Sequence, residues 1–156
     1  MLQVHLICLG KLKESFWREA EAEYLKRLSP YAKIQIHELR EESFSEKDQP
    51  EIIKKKEAEK ILSALEKINA PIIALTETGK QFSSSNFATE LNKQSDEGKI
   101  CFIIGGPLGL DAQILALAKL KLSLSPMTFT HQMARVFLWE QIYRSFMISG
   151  GRKYHY

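Results

Sequence analysis

Apolar runs of strand length alternate with helical patterns along this chain. Five apolar or alternating runs predict strands, and they lie at residues 2–9, 34–39, 71–75, 100–104 and 122–124. Between and after them, apolar side chains recur three or four positions apart, which predicts helices. These helices lie at residues 15–28, about 50–68, 83–94, 111–117 and 131–149. Regular alternation of strand and helix is typical of an α/β protein with one parallel, doubly wound sheet.

Three of the predicted strands end in segments suited to main-chain contact with a ligand. The segment at 76–80 follows the third strand, 105–110 follows the fourth, and 123–131 follows the fifth. Glycine lets a backbone approach a bound molecule closely, while Ser, Pro and Thr fix turns. Because ligands of open α/β sheets bind at the carboxyl ends of strands, we expect these segments to form one site.

Two common nucleotide motifs do not fit the glycine run at 105–109. A dinucleotide fingerprint belongs after the first strand, whereas this run follows the fourth and contains Pro107. A phosphate-binding P-loop would need Gly-Lys-Ser/Thr at a fixed spacing after a glycine, and the chain has none. The run therefore disfavours a nicotinamide cofactor and a P-loop nucleotide.

Composition is typical of one soluble globular domain covering residues 1–156. The chain has 156 residues, of which 44% are hydrophobic and 26% charged, enough for a single core but short for two. It shows neither an apolar run of membrane-spanning length nor a signal-peptide start. We therefore expect a cytoplasmic protein with no membrane partner. Cys8 and Cys101 lie inside apolar runs, which favours buried thiols over a disulfide, and no Cys/His spacing predicts a metal.

Charge is concentrated near the carboxyl end of the chain. From Lys119 onward six basic residues stand against a single acid, Glu140. The last residues combine Arg152 and Lys153 with Tyr154, His155 and Tyr156. Aromatic rings can stack on splayed bases while cations meet phosphates, so this end predicts an RNA-binding face. A solvated surface and a frayed terminus are the alternatives.

Several motifs resemble, in order and spacing, the RlmH family of SPOUT-type RNA methyltransferases. The resemblance covers essentially the whole chain. The motifs are the runs at 75–80, 104–110 and 123–128, the helix residues His131, Arg135, Glu140, Gln141, Tyr143 and Arg144, and the Tyr154-His155 ending.

The resemblance implies a fold and an activity. The fold is a SPOUT-type α/β knot, with a five- to six-stranded, mainly parallel sheet, helices on both faces, and a trefoil knot within about 71–156. The activity is methyl transfer from S-adenosyl-L-methionine to N3 of a pseudouridine in 23S rRNA of the assembled 70S ribosome. The alternative function is a non-enzymatic RNA- or ribosome-binding module, which would explain the basic, aromatic tail without needing the glycine loops.

The resemblance also implies a homodimer whose last helices pack together. The apolar side chains Phe137, Leu138 and Trp139 suit such an interface. Packing in the chain's own core is an equally good interpretation of Phe137 and Leu138.

Site residues follow from the same resemblance. The S-adenosylmethionine pocket is implied to include Leu75, Thr76, Gly105, Gly106, Leu124, Ser125, Pro126, Met127, Thr128 and Phe129. The residues implied to act at the target base are Arg144, Tyr154 and His155, and those implied to contact RNA are His131, Arg135, Arg152 and Lys153. A surface ion pair with Glu140, one helical turn away, is the alternative for Arg144.

Overall fold

Five parallel strands form the sheet at the centre of the computed structural model, which describes residues 1–154. The strands are β1 (Leu2–Leu9), β2 (Ala32–Leu39), β3 (Ile72–Lys80), β4 (Lys99–Ile104) and β5 (Leu120–Leu122). Their order across the sheet is β2-β1-β4-β3-β5, and every neighbouring pair is parallel. The predicted α/β class and parallel sheet are therefore confirmed.

Helices cover both faces of the sheet, as expected of a doubly wound fold. They are α1 (Ser15–Leu28), α2 (Pro50–Leu65), α3 (Ser84–Gln94), α4 (Ala112–Leu117) and α5 (His131–Ser149). Side chains of α1, α3 and α5 pack on one face, and side chains of α2 and α4 pack on the other. The hydroxyl of Ser83, the carboxylate of Asp111 and the hydroxyl of Thr130 cap the starts of α3, α4 and α5.

The central strands are buried on both sides because successive side chains point to opposite faces. In β1, Val4 and Leu6 enter the core under α1, α3 and α5, while Ile7 enters the core under α2 and α4. The two cysteines divide in the same way, Cys8 in the first core and Cys101 in the second. Both are free and buried, as predicted. Burial raises the pKa of the Cys101 thiol to about 12.

Strand β3 extends five residues beyond its predicted end at residue 75. Its last part, with Gly79, runs against Lys121 and Leu122 of β5, where the Ser123 amide donates to the Lys80 carbonyl at 2.9 Å. A Cβ on Gly79 would stand 2.7 Å from the backbone of Lys121, so only glycine allows this approach. The same pairing places β5 at 120–122, rather than at the predicted 122–124.

Helix α5 packs between α1 and α3, and its buried residues lie between Arg135 and Met147. Leu138 and Trp139 are fully buried in the chain's own core. The expectation that these two side chains form a dimer interface is therefore wrong, and their apolar surface serves the fold. Phe137 differs, since 38% of it is exposed.

No helix within residues 1–154 is both long enough and apolar enough to cross a membrane.

Candidate functional site

A cavity of about 610 Å³ opens where strands β3, β4 and β5 end. The three segments that follow these strands meet there, together with the first turn of α5. Its size falls within the range of pockets that hold cofactors and other small molecules. The lining residues are Leu75, Thr76, Glu77, Ile104, Gly105, Gly106, Pro107, Leu108, Gly109, Leu110, Leu122, Leu124, Ser125, Met127, Thr128, Phe129, Thr130, His131, Gln132 and Ala134.

Nine of the ten residues predicted to bind the cofactor lie in this wall. Pro126 is the one that does not line the cavity. Nothing in the sequence pointed to Gln132 and Ala134, because two residues in a helix carry no ligand motif. Glu77 and Gly109 lie in segments that were expected to form the site, although neither was named as a cofactor-binding residue. Gly109 has a φ of +82°, a conformation that suits glycine.

Hydrogen bonds within the chain hold the segment after β5 in shape. The buried Ser123 hydroxyl lies 3.0 Å from the carbonyl oxygens of both Glu77 and Ser125. The Ser125 hydroxyl accepts from the Met127 amide at 3.0 Å. The Thr128 hydroxyl donates to the Glu77 carboxylate at 2.8 Å. These bonds tie the segment to β3 and preorganise it for binding. The segment therefore loses less conformational entropy when a ligand binds.

Apolar and polar surfaces divide the cavity. Leu75, Leu124 and Phe129 supply apolar wall, and Met127, which is 74% exposed, stands at the rim. The Phe129 ring meets the ring of Phe137 edge-on at 5.2 Å between centroids. The glycine loop brings backbone amides and carbonyls to the opposite side. Such a cavity suits a flat heteroaromatic group that is sandwiched by apolar side chains and bonded along its edge.

Close packing explains why Gly105 and Gly106 carry no side chain. A Cβ on Gly105 would stand 3.0 Å from the Leu110 side chain, and one on Gly106 would stand 3.3 Å from the Glu57 carboxylate. Glu57 is itself buried and accepts from the Glu42 amide at 3.1 Å. The loop is therefore pressed between α2 and the cavity, and its backbone forms the wall.

His131 begins α5 and lines the cavity. Its Nε2 atom is shielded from solvent and has no hydrogen-bond partner among residues 1–154. A Cβ on Gly10 would stand 3.2 Å from this nitrogen, so the ring reaches the end of β1. The predicted contact of His131 with RNA stays a prediction, while the structure places its ring in the cavity wall.

Arg135 is only 4% exposed, and its surroundings correct the prediction that it binds RNA. Its guanidinium forms a two-point ion pair with Glu21 and donates to Glu38 at 2.7 Å. The Trp139 indole N–H also donates to Glu21, at 2.8 Å. Buried among these partners, Arg135 offers RNA no free surface. The assignment was wrong because a helix arginine whose acids lie at 21 and 38 shows no local sign of burial.

Arg144 and Tyr154 lie together near the other end of α5. The guanidinium of Arg144 donates twice to Glu140, at 2.6 and 3.0 Å, and once to the Tyr154 carbonyl at 2.9 Å. The hydrogen bonds with Glu140 raise the pKa of Arg144. The Tyr154 ring centroid is 4.8 Å from the guanidinium. His155, also predicted to act at the target base, lies outside the described residues, as does Tyr156.

Within one chain, the residues predicted to bind the cofactor lie apart from those predicted to act at the target base. Neither Arg144 nor Tyr154 lines the cavity. Arg144 follows His131 by thirteen residues on one helix, which corresponds to about 20 Å along the helix axis. Arg152 instead donates to the Tyr31 hydroxyl at 2.9 Å, and Lys153 is exposed.

A second cavity of about 340 Å³ adjoins the first between α3 and α5. The two share Leu122, Leu124 and Phe129. Four phenylalanines face the second cavity, together with Glu140 and Gln141; they are Phe82, Phe87, Phe129 and Phe137. Sequence reasoning did not find this cavity, because its residues come from separate helices and strand ends.

Comparison with known proteins agrees with this geometry. A family model described as a predicted SPOUT methyltransferase matches residues 2–155. The chain is 45% identical over 159 residues to the ribosomal RNA large subunit methyltransferase H of Clostridium acetobutylicum, and 46% identical over 162 residues to that of Bacillus pumilus. In both cases the match covers 99% of each chain.

The fold is also similar to that of a solved enzyme. The crystal structure of a tRNA methyltransferase from Aquifex aeolicus superposes with a TM-score of 0.56. The match covers 91% of this chain and 69% of the other, with 12% sequence identity. At that identity the likeness concerns the fold alone.

Proposed function

Since the chain belongs to the SPOUT methyltransferases and, within them, to the ribosomal RNA large subunit methyltransferase H family, we propose that it methylates a pseudouridine of 23S rRNA at N3. The methyl donor is S-adenosyl-L-methionine. The observation that carries the proposal is the meeting of three strand-end segments in one cavity of about 610 Å³. A protein that only bound RNA would have no need of such a cavity.

The chain's own residues fit the methyl donor. Leu124 and Phe129 would hold the adenine ring between apolar surfaces, and main-chain groups of the 123–129 segment would bond its edge. The bare backbone of Gly105 and Gly106 would admit the rest of the molecule at close range. When bound, S-adenosylmethionine supplies a methyl group on a positively charged sulfur.

The reaction is an in-line displacement, so alignment of two atoms contributes much of the rate. The bound donor would supply its methyl group to N3 of the base and keep the electron pair of the broken carbon–sulfur bond, while the residues of this chain would hold the two reacting atoms in line. The N3 proton leaves to water. A cation beside the imide lowers its pKa, and Arg144 and His155 are the groups we assign to that role. No dedicated general base is required.

The separation of Arg144 from the cavity points to a homodimer. Methyl transfer requires the reacting atoms about 3 Å apart, whereas about 20 Å of helix separates His131 and Arg144. A second copy packed against the outer side of α5 brings its own Arg144 and tail to this cavity. The exposed Phe137, in contact with the cavity-wall residue Phe129, marks that side.

The substrate we propose is the assembled 70S ribosome in the cytoplasm. A chain of 156 residues has little surface for reading RNA sequence, so a preformed ribosomal cleft supplies the remaining recognition. Arg152 and Lys153 meet phosphates beside the target base. A trefoil knot within about 71–156, with α5 threaded through the cofactor-binding loop, stays a prediction from the family resemblance.

The test has two measurements. Isothermal titration with S-adenosylmethionine should show saturable binding at one site per chain. Purified protein should then methylate 70S ribosomes from a strain that lacks the enzyme, and mass mapping should place the methyl group on a pseudouridine. If the protein binds ribosomes but the titration with S-adenosylmethionine shows no heat of binding, the protein is instead a non-enzymatic module. Methylation at another nucleotide would refute the proposed substrate.

The role of the tail can be tested separately. Removal of residues 154–156 should abolish methylation of ribosomes while the donor binds nearly as before, because none of the described tail lines the cavity. The matched control is Lys93→Gln, an exposed change on α3. Full activity in the shortened protein would rule out the tail as part of the active site.

A further inference from the structure

Three arginines on one side of the molecule each lie over a tyrosine ring. Arg27 lies 5.5 Å from the ring centroid of Tyr24 and 5.9 Å from that of Tyr143. Arg144 lies 4.8 Å from Tyr154, and Arg152 lies 5.8 Å from Tyr31. We call this surface the arginine–tyrosine face; it comprises Tyr24, Arg27, Tyr31, Tyr143, Arg144, Arg152 and Tyr154.

The face is continuous from α1 to the tail. The Tyr154 hydroxyl lies 3.5 Å from Nη1 of Arg27, while the Tyr154 carbonyl accepts from Arg144. The rings of Tyr143 and Tyr154 meet edge-on at 5.1 Å. Arg27 of α1 therefore stands next to the two described residues that we place at the target base. Neither the sequence motifs nor the family resemblance assigned it a role.

We infer that Arg27 binds a phosphate of the RNA beside the target nucleotide, so that α1 supplies part of the RNA-binding surface. This inference rests on the proposed function, since it extends the same site. Tyr24 lies against the guanidinium, whose edge is held by the exposed Glu23 at 2.8 Å and more distantly by the Tyr154 hydroxyl. A phosphate that displaces Glu23 can bond this edge at two points.

The charges of this region favour RNA as the occupant. Glu23 and Glu140 are the acids paired with its arginines, one with Arg27 and one with Arg144. The Arg27–Glu23 pair is exposed, with side-chain exposures of 41% and 52%. Exposed ion pairs contribute about 0–1 kcal/mol, so a phosphate can replace this glutamate at little cost. Lys26 and Lys153, both exposed, add positive charge along the chain.

The aromatic rings favour RNA over a purely electrostatic partner. Tyr24, Tyr31, Tyr143 and Tyr154 are all partly exposed. Single-stranded RNA is held by tyrosine rings and guanidinium planes that stack on its bases, together with cations that meet its backbone. A second copy of the chain is the competing occupant. If a second copy covered the face at the two-fold axis, this cationic surface would meet its own copy, and like charges would repel.

The experiment compares Arg27→Gln and Arg27→Lys with wild type and with the control Lys93→Gln, which removes an exposed cation from α3. Binding to unmethylated 70S ribosomes is measured by co-sedimentation over a series of potassium chloride concentrations. Steady-state methylation gives kcat and KM for ribosomes. Calorimetry with S-adenosylmethionine and light scattering report donor affinity and oligomeric state.

We expect Arg27→Gln to weaken ribosome binding about tenfold and to reduce the slope of log K against log salt by about 1. KM should rise while kcat and donor affinity stay near wild type. Arg27→Lys should keep the salt slope but recover only part of the affinity, because it retains the charge and loses the planar fork. Lys93→Gln should behave as wild type.

Three results would overturn the inference. Unchanged affinity and salt slope in Arg27→Gln would mean that Arg27 meets no phosphate. A fall in kcat at unchanged KM would mean that it only positions Tyr154. A change in oligomeric state would mean that a second copy covers the face. If wild type itself fails to methylate ribosomes, the proposed function fails; if wild type is active and the variants match it, only this inference fails.

Discussion

His131 has a buried ring nitrogen beside the cavity that no residue within 1–154 satisfies. A buried polar atom without a partner costs about 1–3 kcal/mol, so folded proteins rarely keep one without a use. We expect a ligand in the cavity to form a hydrogen bond with this nitrogen. His131 would then help to bind the methyl donor, besides beginning α5.

We expect His131→Leu to weaken S-adenosylmethionine binding about tenfold, the loss of one buried hydrogen bond. His131→Gln, whose amide reaches a similar position, should retain most of the affinity. Isothermal titration of the two variants is the measurement. Wild-type affinity in His131→Leu would show that Nε2 does not contact the donor.

Glu57 is a buried acid behind the glycine loop, 3% exposed. Burial is the largest cause that raises its pKa above the ordinary value of 4.5, and the neighbouring Glu41 and Glu42 act in the same direction. The raised value means that the charged form is disfavoured in the folded protein. Stability is therefore lost as pH rises from about 4.5 through the folded pKa, and the loss is complete above it.

We expect Glu57→Gln to raise the melting temperature at pH 7.5 and to give no gain at pH 4, where the wild-type carboxyl is largely protonated. The glutamine oxygen can still accept from the Glu42 amide. Glu59→Gln, on the exposed side of α2, is the control. Thermal unfolding across this pH range checks the difference, and a gain that is equal at both pH values would contradict it.

At the scale of elements, the Arg135 network joins α5 to α1 and β2. Arg135 and Trp139 both bond to Glu21, and Arg135 also bonds to Glu38. These contacts hold the first half of α5 against α1 and β2. Burial raises the pKa of the adjacent Cys8 thiol to about 11, which keeps it neutral beside the ion pairs.

We expect Arg135→Met to destabilise the protein by about 3–5 kcal/mol, because it leaves the buried carboxylate of Glu21 without its cation. The double variant Glu21→Gln/Arg135→Met should recover part of the loss. Arg40→Met, an exposed arginine, is the control. Urea unfolding gives the free energies, and a loss below about 1 kcal/mol in Arg135→Met would show that the charges are solvated.

Local patterns predicted the helices and strands whose apolar periodicity lies within their own sequence. Strand β1 and helix α1 have the predicted ends because each carries its signal within a few residues. The end of β3 was missed, since residues 76–80 are polar and pair only through contact with β5. Nine of the residues that line the cavity were predictable because they lie in the last part of a strand or in the segment that follows one. The burial of Arg135 was not predictable, because its partners lie in distant parts of the chain.

At the scale of the whole molecule, the proposed dimer can be tested at Phe137. We expect Phe137→Glu to shift the protein toward monomer in light scattering and to abolish methylation of ribosomes, because charge on a buried interface is costly. Leu117→Glu is the control, since Leu117 is 50% exposed on α4 at the opposite face of the sheet. A Phe137→Glu protein that stays dimeric would place the interface elsewhere.

The length of α5 between His131 and Arg144 has a genetic consequence. If each reaction centre draws its halves from two polypeptides, then two inactive mutants can rescue each other. Subunits with a damaged donor pocket, mixed with subunits that lack the tail, would form hybrids carrying one intact centre out of two. Random pairing of equal amounts makes half of the dimers hybrid, so the mixture should regain about a quarter of normal turnover.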